Sequence, residues 1–143
     1  MPPRLLLERT FDVAAPPARV WAHLTTVERW PSWARHIRTA RLDPPGALTA
    51  QSRGEFVLSN GIRTTFAVTE FTAGRSWKWR GPFLGLAIDY DHVLEPLPAG
   101  GTGVRFVIEA EGFAVGVLGT LFAAVYARNL DRAIPRLVAE LGG

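Results

Sequence analysis

The hydrophobic period of this chain changes twice, and those changes limit the folds open to it. Between Ile37 and Phe113, apolar and polar residues alternate in segments near Ile37–Leu42, Thr49–Leu58, Ile62–Phe71, Ser76–Arg80, Leu86–Leu94 and Gly103–Phe113, the pattern of strands with one buried face. From Ala114 to Leu141 the period becomes 3.6. Val115, Leu118, Phe122, Tyr126, Asn129, Ala133 and Leu137 then share one stripe, predicting a single long helix with Pro135 inside it and Gly142-Gly143 ending it. Ahead of the strands, Leu5–Val13 reads as an edge strand, Pro17–Thr25 as a short helix with proline in its first turn, and Val27–Trp33 as a further helical turn around Pro31.

Turn chemistry separates the strands at Asp43-Pro44-Pro45-Gly46, Ser59-Asn60-Gly61, Ala73-Gly74, Gly81-Pro82 and Pro98-Ala99-Gly100-Gly101. Links this short imply antiparallel pairing, and Asn60-Gly61 predicts a type I′ hairpin. The expectation is one α+β domain over residues 1–143, in which a curved antiparallel sheet of about seven strands wraps a long C-terminal helix, with two short helices after the first strand.

Composition narrows the function classes. With 143 residues, 48% of them apolar, the chain can bury a core without a disulfide or structural metal, and it has no cysteine for either. The N-terminal run Leu5-Leu6-Leu7 is too short for a secretion signal, so a cytoplasmic setting is expected. The uncharged stretch from Gly112 to Ala127 is shorter than the roughly 20 residues a spanning helix needs. The net charge of +3 is modest and almost entirely arginine on the basic side. The densest basic stretch, Arg29 to Arg41 with Trp30 and Trp33 interleaved, makes RNA or ribosome contact a minor alternative; nucleic acid is not the expected partner. A homodimer is compatible with the sequence, but no feature calls for one.

Two segments carry a family resemblance. Phe11-Asp12-Val13-Ala14-Ala15-Pro16-Pro17-Ala18-Arg19-Val20-Trp21, continued by Val27-Glu28-Arg29-Trp30-Pro31-Ser32-Trp33, resembles the opening of the START/polyketide-cyclase-like superfamily, also called SRPBCC or Bet v 1-like. His92-Val93-Leu94-Glu95-Pro96, leading to Gly101-Thr102-Gly103-Val104-Arg105-Phe106, resembles a later segment of the same superfamily. The resemblance covers nearly the whole chain. It implies the helix-grip fold, with an apolar cavity between sheet and helix, and leaves the activity open, since members include lipid and hormone binders, aromatic cyclases and ring-hydroxylase subunits.

Within that architecture, alternation assigns the faces. Leu86, Ile88, Tyr90, His92 and Leu94 point inward, because the opposite choice would bury Asp89 and Asp91 unpaired. The same test turns Val104, Phe106, Ile108 and Ala110 inward, with Trp77, Trp79, Ile62, Thr64, Phe66, Val68, Gly54, Phe56 and Leu58. The expected cavity wall is Thr64, Phe66, Trp77, Trp79, Ile88, Phe106, Ile108 and Phe122. Tyr90 and His92, two apart on one strand, and Tyr126 and Asn129, one turn apart on the helix, are the polar groups expected to orient a ligand. Each has an ordinary alternative. An interior histidine or tyrosine is more often hydrogen-bonded to backbone, Asn129 could anchor the helix, and Trp77 and Trp79 could be core. Trp30 and Trp33 are expected to staple the small helices over the mouth, and His36 to face solvent.

Other chemistries lack support. His23, His36 and His92 have no metal-ligand spacing, so no metal and no cofactor are expected. None of the four serines sits in a G-x-S-x-G context, no glycine-rich loop opens a helix after a strand, and the acidic pairs Asp89/Asp91 and Glu109/Glu111 are expected outward and solvated. The leading expectation is a module that carries, sequesters or senses a small hydrophobic molecule such as a lipid, quinone or polyketide. The alternative is a polyketide cyclase or dehydratase using His92 as acid or base and Tyr90 or Tyr126 to stabilise an enolate, so whether the chain is an enzyme stays open.

Overall fold

The computed structural model describes residues 3–142. Strand β1 (Arg4–Val13) leads through helix α1 (Pro17–Thr25) and a short 3-10 helix (Val27–Ser32) to β2 (Ile37–Asp43). There follow β3 (Arg53–Leu58), β4 (Arg63–Thr72), β5 (Ser76–Phe83), β6 (Leu86–Pro96), β7 (Thr102–Glu111) and helix α2 (Val115–Glu140). All neighbouring strands are antiparallel, in the order β1-β7-β6-β5-β4-β3-β2. The first strand therefore lies beside the last, and α1 with the 3-10 helix carries the chain across to the opposite edge.

This is the helix-grip α+β arrangement, and its core is the concave side of the sheet closed by α2. Trp77, Ile88, Leu94, Ala110 and Leu137 are fully buried there. The buried stripe of α2 runs through Phe122, Ala133 and Leu137, as the 3.6 period requires. Polar links hold the layers: Arg9 of β1 meets Asp131 of α2 at 2.8 Å, His23 of α1 meets Glu140 at 2.9 Å, and Thr102 Oγ1 donates to the Ala15 carbonyl at 2.8 Å.

Close approach explains two glycines inside strands. A Cβ on Gly54 would stand 2.1 Å from the Phe66 ring and 2.6 Å from the Arg41 carbonyl oxygen, and one on Gly81 would stand 2.3 Å from the Thr65 carbonyl oxygen. Gly54 faces Phe66 directly across β3 and β4, so the bare backbone lets that ring lie flat on the neighbouring strand.

Several local expectations need correction. Thr49–Ser52 is a turn held by Thr49 N–H donating to Ser52 Oγ at 2.8 Å, so β3 starts at Arg53. Gly81-Pro82 continues β5, and the hairpin turns instead at Leu84 and Gly85, with φ of +48° and +85°. The Asn60-Gly61 hairpin is not type I′, because Gly61 alone of the two takes positive φ, at +89°. Gly61 N–H donates to the Leu58 carbonyl and Leu58 N–H to the Ile62 carbonyl, the three-residue loop closed by a glycine bulge. Asp89 does face outward but is buried rather than solvated. Arg80 grips it through Nε at 2.8 Å and Nη2 at 2.9 Å while also reaching Glu111 at 2.9 Å.

Candidate functional site

A cavity of about 330 Å³ opens between the sheet and the first half of α2. Its wall comes from five strands, the 3-10 helix and α2, with Ile37 of β2 and Trp30 among the lining residues. Phe56 and Leu58 of β3, Thr64 and Phe66 of β4, and Trp79, Pro82 and Phe83 of β5 meet Tyr90 and His92 of β6 and Phe122 and Tyr126 of α2. Among the lining residues none is Asp, Glu, Lys or Arg. A second chamber of about 30 Å³ lies against it, and Trp30, His36, Ile37, Tyr90, His92 and Tyr126 border both. The ring hydroxyls and imidazoles thus gather where the two chambers meet, while the rest of the main chamber is mostly apolar, with Asn60, Thr64, Thr65 and Asn129 as its other polar side chains.

Register places the polar groups. Trp77 pairs with His92, and His92 with Phe106, across β5, β6 and β7; one pair further along, Trp79 faces Tyr90 and Tyr90 faces Ile108. His92 lies parallel to Trp77 and contacts the Trp77 carbonyl through Nδ1 at 3.2 Å. A carbonyl oxygen only accepts, so Nδ1 carries the hydrogen and Nε2 keeps its lone pair. Burial pushes the His92 pKa down to about 3, the Trp77 carbonyl opposing the shift, so the ring is neutral at ordinary pH. From α2, Tyr126 approaches Tyr90 with ring centroids 5.8 Å apart. Burial raises both phenols, Tyr126 to about 12, and both remain protonated donors.

The sequence candidates divide by position. Thr64, Phe66, Trp79, Tyr90, His92, Phe122, Tyr126 and Asn129 line the main chamber. Phe106 and Ile108 border only the small one. Trp77 and Ile88 border neither, because both are fully buried behind the wall and Trp77 packs against Trp21 of α1, centroids 5.5 Å apart. Ile62, expected inside, is 56% exposed at the cavity rim.

Two residues do more than their sequence setting suggested. Trp30 is no cover over the mouth; it is buried, donates Nε1–H to the Leu24 carbonyl at 2.8 Å, and stacks on Phe56 at 5.6 Å as part of the cavity floor. His36 does not face solvent. It sits one residue before β2, its ring 5.9 Å from that of Tyr126, and desolvation lowers its pKa to about 4. No motif marks it, and alternation from the inward-facing Ile37 would turn it outward; it lies just ahead of the regular strand, where packing against Tyr126 decides its direction.

Among the described residues no group of three His, Asp or Glu side chains could hold a metal ion, and no helix is long and apolar enough to cross a membrane.

Comparison with known proteins places these features in context. Residues 4–142 match the family model described as polyketide cyclase / dehydrase and lipid transport. No match was found among curated proteins. A hypothetical protein from Helicobacter pylori superimposes with a TM-score of 0.77 at 16% identity, covering 93% of this chain and 85% of that one. A START superfamily protein from Mycobacterium smegmatis does so at 0.68 and 16%, covering 96% and 99%. Ara h 8.0201 gives 0.74 at 10% identity, with 94% and 95% covered.

Proposed function

Because the chain belongs to the polyketide cyclase / dehydrase and lipid transport family, we propose that its cavity takes up an uncharged, largely apolar small molecule and that the protein carries, sequesters or senses it. The observation that supports this most is the lining of the cavity of about 330 Å³, aromatic on most sides and free of charged side chains. Its size is at the lower end of small-molecule sites, roughly 300–1,000 Å³. At its inner end the ligand meets two phenolic donors, Tyr90 and Tyr126, and an acceptor, His92 Nε2, which suits a polar tip such as a ketone or hydroxyl on an apolar body.

The cyclase or dehydratase alternative asks more of the imidazoles. A general base works best with a pKa near the operating pH, and burial has taken His92 to about 3 and His36 to about 4. Neutral, poorly basic rings suit hydrogen bonding to a ligand better than proton abstraction.

Native mass spectrometry of the purified protein, followed by denaturing extraction, tests the reading: a stoichiometric neutral adduct is expected. Titration with N-phenyl-1-naphthylamine gives a second readout, with one probe bound per chain and binding abolished when Thr64→Trp fills the chamber. A clean apo mass together with no probe uptake would overturn the proposal.

A further inference from the structure

Seven large hydrophobic side chains are exposed among the described residues, and six of them gather around the cavity mouth and the start of α2. Ile62, Leu121 and Val125 frame the mouth itself. Phe113, 94% exposed, and Val117, 77% exposed, extend the patch along the helix. Leu84 joins from the β5–β6 turn, which abuts the helix start: a Cβ on Gly112 would stand 3.1 Å from the Gly85 carbonyl oxygen. Leu84 also holds φ at +48°, so a leucine is presented to solvent from a backbone conformation that disfavours it. Scattered exposed apolar residues need no explanation, but a contiguous patch marks a contact surface.

The same face of α2 changes character halfway. Val117, Leu121, Val125, Arg128, Arg132 and Arg136 are all exposed and fall within about 100° of helical arc. None of these three arginines forms an ion pair with a described residue, and Asp131 is turned aside to Arg9 at 2.8 Å. We propose that this face docks on an anionic lipid bilayer, with Phe113, Val117, Leu121 and Val125 at the boundary between headgroups and acyl chains and the three arginines on the phosphates. Apolar side chains and basic ones on one face of a helix are what lying in the plane of such a surface requires. A second copy of the chain fits poorly. Parallel pairing would set arginine against arginine, and antiparallel pairing would cover the apolar half with unpartnered arginines. The inference goes beyond the ligand-binding reading and does not depend on it.

Flotation with vesicles tests it, using phosphatidylcholine alone and equal parts phosphatidylcholine and phosphatidylglycerol. The protein is expected to float with the anionic vesicles and to be released by salt. Phe113→Asp with Val117→Asp, both outside the cavity lining, should lower partitioning roughly tenfold or more while N-phenyl-1-naphthylamine binding persists. Arg128, Arg132 and Arg136 all changed to Gln should lower it roughly a hundredfold. Wild-type protein that floats with neither vesicle, or variants that float as well as wild type, would overturn the proposal. So would a dimer in sedimentation velocity that the Asp variants abolish in protein that ignores vesicles. Probe uptake is read separately from flotation, so failure of the docking surface and failure of the cavity reading remain distinguishable.

Discussion

The imidazole of His92 lies flat against the indole of Trp77, centroids 4.1 Å apart and planes 8° from parallel, with Nδ1 held to the Trp77 carbonyl at 3.2 Å. One cross-strand pair thereby fixes the ring's orientation and its tautomer, and leaves Nε2 without a hydrogen-bond partner among the described residues.

That setting makes stability depend on acid. His92 and His36 have native pKa values of about 3 and about 4, below the ordinary 6.5, so the native state binds fewer protons than the unfolded one. Their contribution is complete above about pH 6.5 and declines as pH falls toward 4 and 3, by about 1.4 kcal/mol per pH unit for each ring. Urea unfolding at pH 7, 5 and 4 should show this slope, and His92→Gln should remove one ring's share of it, about 1.4 kcal/mol per pH unit. An unchanged slope in the variant would sink the assignment.

Tryptophan fluorescence should separate Trp79 from Trp77. Of the two only Trp79 borders the chamber, alongside Trp30, so a bound N-phenyl-1-naphthylamine should quench Trp79 and Trp30, and Trp79→Phe should remove a share of the quenching that Trp77→Phe preserves. Equal loss in both variants would contradict the placement of the wall.

The Arg80 grip on Asp89 predicts a moderate stability loss. Asp89→Ala removes two charged hydrogen bonds from a buried carboxylate, but the guanidinium is 42% exposed and keeps Glu111. Screening limits the effect to about 1–2 kcal/mol, measurable by denaturant unfolding, and a loss above that range would mean Arg80 is less solvated than it looks.

Gly54→Ala should be far worse for so small a change. The new methyl meets both the Phe66 ring and a backbone oxygen, so a cost of about 2–4 kcal/mol is expected, visible as a fall in thermal midpoint. Adding Phe66→Leu should return part of it, since a shorter side chain vacates the contact.

The two period changes made the fold legible, because a face that must be buried writes itself into every second or every third to fourth residue. The polar wall was readable the same way: Tyr90 and His92 share a strand face, and Tyr126 and Asn129 share the helix stripe. What periodicity could not give was depth. Trp77 and Trp79 share a face, yet α1 lies across the first and leaves the second on the chamber. His36 and Trp30 escaped because both lie outside regular period-two or period-3.6 segments, where tertiary packing alone decides what a side chain meets. Gly81-Pro82 misled because β5 runs on to Phe83; the proline is tolerated within it, and the reversal falls on Leu84 and Gly85.

The pairing of β1 with β7, which sets Arg4 opposite Ala110, has a consequence for how the chain is made. During synthesis β1 emerges long before β7, its one neighbour in the sheet, so it waits with neither edge paired until β7 has left the ribosome. Non-local pairing of this kind slows folding, and the interval leaves the Leu5-Leu6-Leu7 segment open to wrong partners. A nascent chain stalled before β7 should therefore be the aggregation-prone species.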